Sequence, residues 1–275
     1  MKRIFTLCIG LCTLLTSFAQ IDSTAKPKTD TIKIGGMVII REPGARDTTK
    51  TRDRVFRISG RGEDRRASIS TNWWIFDIGF SNYNDQTIYS GAAAQAFAPG
   101  SNEDWFKLRA GKSRNVNIWV FMQRINLVNS VVNLKYGLGL ELNNYHFDDK
   151  SIHFNKSPTV VDRTYTDLKK NKLAADYLTM PVMLNFNFTP GKRRNYGISA
   201  GVSAGYLYSA RQKVKEDNKV TKTKSDFDLR KWKLSYVGEI SLGVVKLYGS
   251  YAFKSMFDKG LDVTPYNVGF RFSNW

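Results

Sequence analysis

The sequence predicts an all-β protein: an eight-stranded antiparallel up-and-down transmembrane β-barrel, preceded by a largely extended N-terminal segment. Three observations predict it. Segments of the last two-thirds of the chain carry an apolar residue at every second position, as in Leu178, Met180, Val182, Leu184, Phe186 and Phe188. Their connections are alternately short and long, and an export signal precedes them. A period of two sorts side chains onto the two faces of a strand. Many such strands in a row, apolar toward lipid and polar inward, close into a membrane barrel.

The export signal comes first in the chain. Lys2 and Arg3 form a basic start, Ile4 to Leu15 an apolar run, and Thr16-Ser17-Phe18-Ala19 the small residues expected before cleavage. The run is shorter than the ~20 residues of a spanning helix. Residues 1–19 therefore read as a signal peptide, with Gln20 as the first mature residue. Cys8 and Cys12 both lie inside it, so the mature chain has no disulfide, thiol nucleophile or cysteine metal site. No other stretch is long enough for a transmembrane helix.

The formal charge of the 275 residues is +18. For an exported protein the anionic partners this implies are outer-membrane lipids and lipopolysaccharide; nucleic acid is not expected. Residues 20–71 read as a basic periplasmic linker, with Pro27, Pro43 and a strongly basic run from Arg52 to Arg66. Within it, Thr31 to Arg41 is apolar enough for a small strand or hairpin. That piece suits docking under the barrel or binding a periplasmic partner.

Residues 72–275 hold the strands. The first runs from Trp73 to Tyr83, with Trp74, Phe76, Ile78 and Phe80 on its apolar face. The second, Asn115 to Val128, is apolar on both faces at Ile118 to Met122, which leaves its phase open. The third, Val132 to Phe147, sets Leu134, Tyr136, Leu138, Leu140 and Leu142 against Lys135, Gly137, Gly139 and Glu141. The fourth is Leu173 to Phe188. The fifth, Tyr196 to Tyr208, alternates Ile198, Ala200, Val202 and Ala204 with glycine and serine. The sixth is Arg230 to Leu242, the seventh Val244 to Phe253 and the eighth Pro265 to Phe272. Eight is even, as bacterial single-chain barrels require.

Connections after strands two, four and six are short: Asn129-Ser130, Thr189 to Arg194, and around Gly243. The others are long: Asn84 to Arg114, Asp148 to Lys172, Ala210 to Leu229 and Lys254 to Thr264. Short turns on the periplasmic side and long loops outside are the pattern of outer-membrane barrels. Aromatics near strand ends (Trp73, Trp74, Tyr145, Tyr177, Tyr196, Tyr208, Trp232, Tyr251 and Tyr266) fit interfacial girdles. Gly91 to Pro99 predicts a short helical turn. The charged third loop predicts a solvated hairpin extension, with contact to anionic sugars or phosphates as the second reading.

With the apolar face toward lipid, the lumen receives Asp77, Lys135, Glu141, Lys231, Lys233, Glu239, Lys246, Tyr248, Lys254, Asn267 and Arg271. An eight-stranded interior is filled by side chains. Opposite charges there are expected to pair into a structural polar plug made of Asp77, Lys135, Glu141, Lys233, Glu239, Lys246 and Arg271. No cofactor or metal is expected. His146 and His153 flank the outer end of strand three, with Asp148, Asp149 and Ser151 between them. They suggest a rim enzyme acting on lipid, but no oxyanion hole or acyl pocket accompanies them. Gly111-Lys112-Ser113 imitates a phosphate-binding loop yet lacks its first glycine, which Phe106 replaces.

The segment Tyr177-Leu178-Thr179-Met180-Pro181-Val182-Met183-Leu184 resembles the Tyr-Leu-x-hydrophobic-Pro strand of PorT-like outer-membrane barrels of Bacteroidota. Tyr136 to Leu142 and Gly201 to Tyr206 are similar to that family's glycine-rich strands. The likeness spans Asn72 to Trp275. It implies an outer-membrane barrel without catalytic residues, and its name-giving member takes part in protein secretion. The expected function is therefore a non-enzymatic binding or assembly module of the outer membrane, ahead of a rim enzyme or a narrow solute channel.

Overall fold

The computed structural model describes residues 30–34, 37–41, 69–156, 158–165, 168–192, 195–217 and 219–273. The signal segment and the basic run Arg52 to Arg66 lie outside the described residues. The chain divides into two units, Met1–Asp64 and Arg65–Trp275. In the first, β1 (Asp30–Ile34) and β2 (Met37–Arg41) form an antiparallel hairpin with Thr31 opposite Ile40.

The second unit is built on β3 (Ile69–Asp85), β4 (Arg114–Val128), β5 (Val132–His146), β8 (Leu168–Asn187), β9 (Asn195–Glu216), β11 (Trp232–Gly243), β12 (Val245–Ala252) and β13 (Val263–Phe272). Each pairs antiparallel with the next. The ring closes where β13 meets β3, from Val263 opposite Asp85 to Phe272 opposite Phe76. β10 (Lys219–Lys224) extends β9 as a hairpin. Between β5 and β8 lie β6 (His153–Phe154) and β7 (Val161–Asp162); α1 (Ala92–Phe97) follows β3.

The short turns explain themselves. Asn129 and Ser130 both take positive φ, 46° and 60°, which matches the twist of the flanking strands. Gly243 takes φ 73° in the turn between β11 and β12.

The outer wall is apolar. Phe76, Ile78 and Phe80 of β3, Leu178 to Phe186 at alternate positions of β8, and Leu234, Tyr236, Ile240 and Leu242 of β11 are all exposed. So are Val268, Phe270 and Phe272 of β13. A continuous apolar belt of this extent is far beyond what water-facing surfaces carry. Such a belt suits a closed ring of strands, whose ladders pair the backbone internally where lipid cannot.

The doubtful phase of the second strand resolves into a bulge. Trp74, at φ 56°, and Val120 are extra residues in the alternation of β3 and β4. Below them Trp119, Met122, Ile75 and Met183 turn inward as a small apolar core. Close packing inside needs glycine: a Cβ on Gly79 would stand 2.4 Å from the Val268 carbonyl and 2.6 Å from the Tyr248 hydroxyl.

Two strands outrun their expected ends. β8 and β9 continue 20 and 22 residues, about twice the 9–11 a tilted strand needs to cross a bilayer. Their outer halves alternate lysine outward with Gln212 and Val214 inward, a pattern suited to water rather than lipid.

Candidate functional site

Lumen, loops and outer rim each place functional side chains. In the lumen all seven predicted plug residues are buried. Arg271 bridges two acids: its Nε and terminal nitrogen donate to both Asp77 oxygens at 2.8 and 2.7 Å, and its other nitrogen donates to Glu239 at 2.6 Å. Glu239 also accepts from Lys135 at 2.7 Å. Asp77 accepts further from the Trp119 indole at 2.8 Å. A second cluster pairs Glu141 with Lys233, helped by amides of Asn143 and Asn267, each at 3.0 Å.

Lys246 departs from that scheme. Its amine donates to Ser273 at the short-turn end, and no carboxylate among the described residues lies within 4 Å. Lys231 and Lys254 are not lumenal: each is exposed just beyond a strand end, where the alternation stops. A void of about 30 Å³ beside Glu141 and Tyr248 has room for about one water.

The long loops share one apolar core. Phe154 of β6 packs against Phe106, Phe147, Phe227 and Phe257, with centroids between 5.7 and 6.5 Å. Every long connection thus contributes an aromatic ring. Tyr145 and Tyr177 point inward and join this core rather than a girdle. From below, Gln212 of β9 accepts from the Phe154 N–H at 3.1 Å and donates to the Ile152 carbonyl at 2.9 Å.

On the outer wall above the belt, β8, β9 and β10 carry cations. Register puts Lys172 opposite Lys213 and Lys213 opposite Lys222. Lys170 faces Lys215, and Arg211 faces Lys224. Opposed like charges cost energy in a sheet. Arg211 is paired with Asp176. Lys170, Lys172, Lys213, Lys215, Lys222 and Lys224 have no carboxylate within 4 Å among the described residues. An adjoining cleft of about 560 Å³ is lined by Lys112, Arg114, Asn144, His146, Lys170 and Lys172, among others. Burial, then Lys170, Lys172, Lys112 and Arg109, hold the His146 imidazole down at about 4. Burial, then Lys170, Lys213 and Arg211, lower the Lys172 ammonium to about 8.

The two histidines have different neighbours. His146 lines the cationic cleft, whereas His153 stands 3.6 Å from Asp162 and edge-on to Tyr165. Ser151 donates to Asp149 at 2.5 Å, not to a histidine. The basic wall carries no sequence motif; its only signal is lysine at alternate positions of β9 and β10.

A family model described as outer membrane protein beta-barrel domain matches residues 76–258, from within β3 to the loop before β13. The chain belongs to this outer-membrane β-barrel family. Its residence is therefore the outer membrane. Three solved chains are similar to this barrel. One is the crystal structure of Ail, the attachment invasion locus protein of Yersinia pestis, at 12% identity and a TM-score of 0.30, covering 74% of this chain and 98% of that one. No curated protein matches the chain. In barrels of this kind the short turns face the periplasm and the long loops the exterior.

Proposed function

We propose that this outer-membrane barrel is a non-enzymatic binding module whose basic outer wall holds the phosphate groups of lipopolysaccharide. The observation that carries it is the cross-strand opposition of lysines on β8, β9 and β10 directly above the apolar belt. An array that repels itself is stabilised by an anion between its members. From Leu142, the last apolar outward residue of β5, to His146 the strand rises about 13 Å, which brings the cleft to the headgroup region.

The non-enzymatic reading is supported by the cationic surroundings of His146, which has no carboxylate within 4 Å among the described residues. The filled lumen speaks against a solute channel. The PorT-like reading rests on the strand Tyr177–Leu184: Leu178, Met180, Val182 and Leu184 face lipid, and Pro181 interrupts the pairing of β5 with β8 between Tyr136–Val182 and Gly139–Thr179. On that reading the N-terminal segment with its β1–β2 hairpin meets a periplasmic secretion partner.

Native mass spectrometry of the full chain with bisphosphorylated lipid A, its dephosphorylated form and inorganic phosphate tests the lipid reading. Retention of the bisphosphorylated lipid is expected to exceed the dephosphorylated form at least tenfold, with inorganic phosphate a weak competitor. K170Q/K172Q/K213Q should abolish the preference. Retention should fall between pH 7 and 9, because free Lys172 loses its proton near pH 8. Equal retention of both lipids, or an unchanged preference in the triple variant, would contradict the proposal.

A further inference from the structure

The wall between β11 and β12 is not continuous. Their pairing runs from Leu242 opposite Val245 to Ser235 opposite Ala252. One more rung follows, the Phe253 N–H donating to the Leu234 carbonyl at 2.9 Å. The next contact lies past Lys231 and Lys254, where the Arg230 N–H donates to the Met256 carbonyl at 2.8 Å and Leu229 bridges Phe257. The register differs by one residue between the two stretches.

A cavity of about 400 Å³ occupies this place. Trp232, Leu234 and Phe253 line it from the lipid side, where all three are exposed. Tyr177, Lys233 and Pro265 line it too, and they point into the lumen. Alternate residues of a strand lie on opposite faces of the sheet. Residues of both faces, Trp232 and Lys233 among them, therefore line one cavity.

The chemistry along it is graded. The mouth is aromatic and opens at the outer edge of the apolar belt. Arg230, held to Asp258 at 2.8 Å, closes the top. Lys231 and Lys254 are exposed beside the mouth, with no carboxylate within 4 Å among the described residues. The inner end holds the Tyr177 ring, under the Lys233 amine that Glu141 neutralises, and Met256.

We propose that this lateral window seats one acyl chain of an anionic amphiphile, entering from the outer leaflet. The chain lies against Leu234, Phe253, Met256 and Tyr177, and the headgroup stays outside at Lys231 and Lys254. The volume falls in the range of small-ligand sites. The occupant follows from continuity with the lipid belt and from the two unpaired cations at the mouth. The proposal rests on the barrel's place in the outer membrane and not on the basic wall of β8–β10, since the opening lies between β11 and β12.

Crosslinking with a photoreactive fatty acid, diazirine at the chain end, tests it on the full chain in phosphatidylcholine nanodiscs. Tyr177 is only 2% exposed and faces the lumen, so bilayer lipid alone cannot reach it. Labelling is expected at Tyr177 or Met256. L234W, which widens a side chain at the mouth, should cut it at least tenfold. K231Q/K254Q should weaken labelling by the acid several-fold but leave the uncharged alcohol of equal length unaffected. Labelling confined to belt residues such as Leu178 and Phe270, or inner labelling indifferent to both variants, would overturn the window. Loss of lipid A preference in the basic-wall variant would not affect this result.

Discussion

Replacing Arg271 with alanine is expected to destabilise the barrel by about 3–5 kcal/mol, the usual cost of removing one partner from a buried ion cluster. Arg271 pairs with both Asp77 and Glu239. Without it, Asp77 keeps only neutral donors, Asn117 at 3.1 Å and Trp119 at 2.8 Å. Two carboxylates would then share the buried interior, with Lys135 paired to Glu239 alone. Lysine at 271 would not restore the contact, because it lacks the fork that serves two acids at once. Replacing the whole cluster, as in D77N/E239Q/R271M/K135M, should cost less than R271A alone. Urea unfolding in detergent, followed by tryptophan emission and by mobility of the unheated protein, measures both. An R271A barrel as stable as the wild type would remove the plug from any account of stability.

Phe154→Ala is expected to have the second large effect, confined to the loops. Truncating a buried phenylalanine costs about 3–5 kcal/mol, and Phe154 has no exposed surface. It contacts rings from the other three long connections and Phe147 just past β5, so one cavity loosens all four connections. The barrel strands, held by their own ladders, should stay intact. Hydrogen exchange is expected to speed up in Phe106, Phe147, Phe227 and Phe257 segments together, while amides of Val182 and Ile240 are unchanged. Acceleration limited to the Phe154 segment would mean that the loops do not form a shared core. Gly260 supports the same core: at φ 83° it lies against Phe97, where a Cβ would come within 2.3 Å.

Much of this fold could be read from the sequence, because a lipid-facing wall writes itself in period two. All eight strands fall where alternation places them, and the short turns announce themselves with Asn129-Ser130 and Gly243. The bulge at Trp74 and Val120 left a trace as a segment apolar on both faces. Alternation failed where the surroundings changed. Above the bilayer the outward face meets water, so β8 and β9 continue with Lys172 and Lys213 in positions that lower down hold Leu178 and Val202. Such a stretch looks like a charged loop.

The site followed the same logic. Lumen polarity marked Asp77, Glu141, Glu239 and Arg271, and the pairing of opposite charges came from electrostatics alone. Lys246 lies too near the short-turn end to reach an acid, which composition cannot reveal. The loop core was missed because its members are scattered; the signal was one or two phenylalanines in each long connection. The basic wall depends on register between strands, and the window on a one-residue shift in register. Neither is a property of any single segment.

The central claim is that the belt meets hydrocarbon while the basic wall sits at the phosphate level above it. Both cysteines, Cys8 and Cys12, precede Gln20, so in a chain begun at Gln20 single cysteines at Val182, Lys172 and Ser199 can carry nitroxide labels. Depth measurement by electron paramagnetic resonance in bilayers tests the claim most directly. The label at Val182 should be relaxed by oxygen and shielded from a water-soluble nickel chelate. At Lys172 it should report the headgroup region, and at Ser199 it should be shielded from both. Strong relaxation of the Val182 label by the nickel chelate would contradict the account, as would a Lys172 label buried in hydrocarbon.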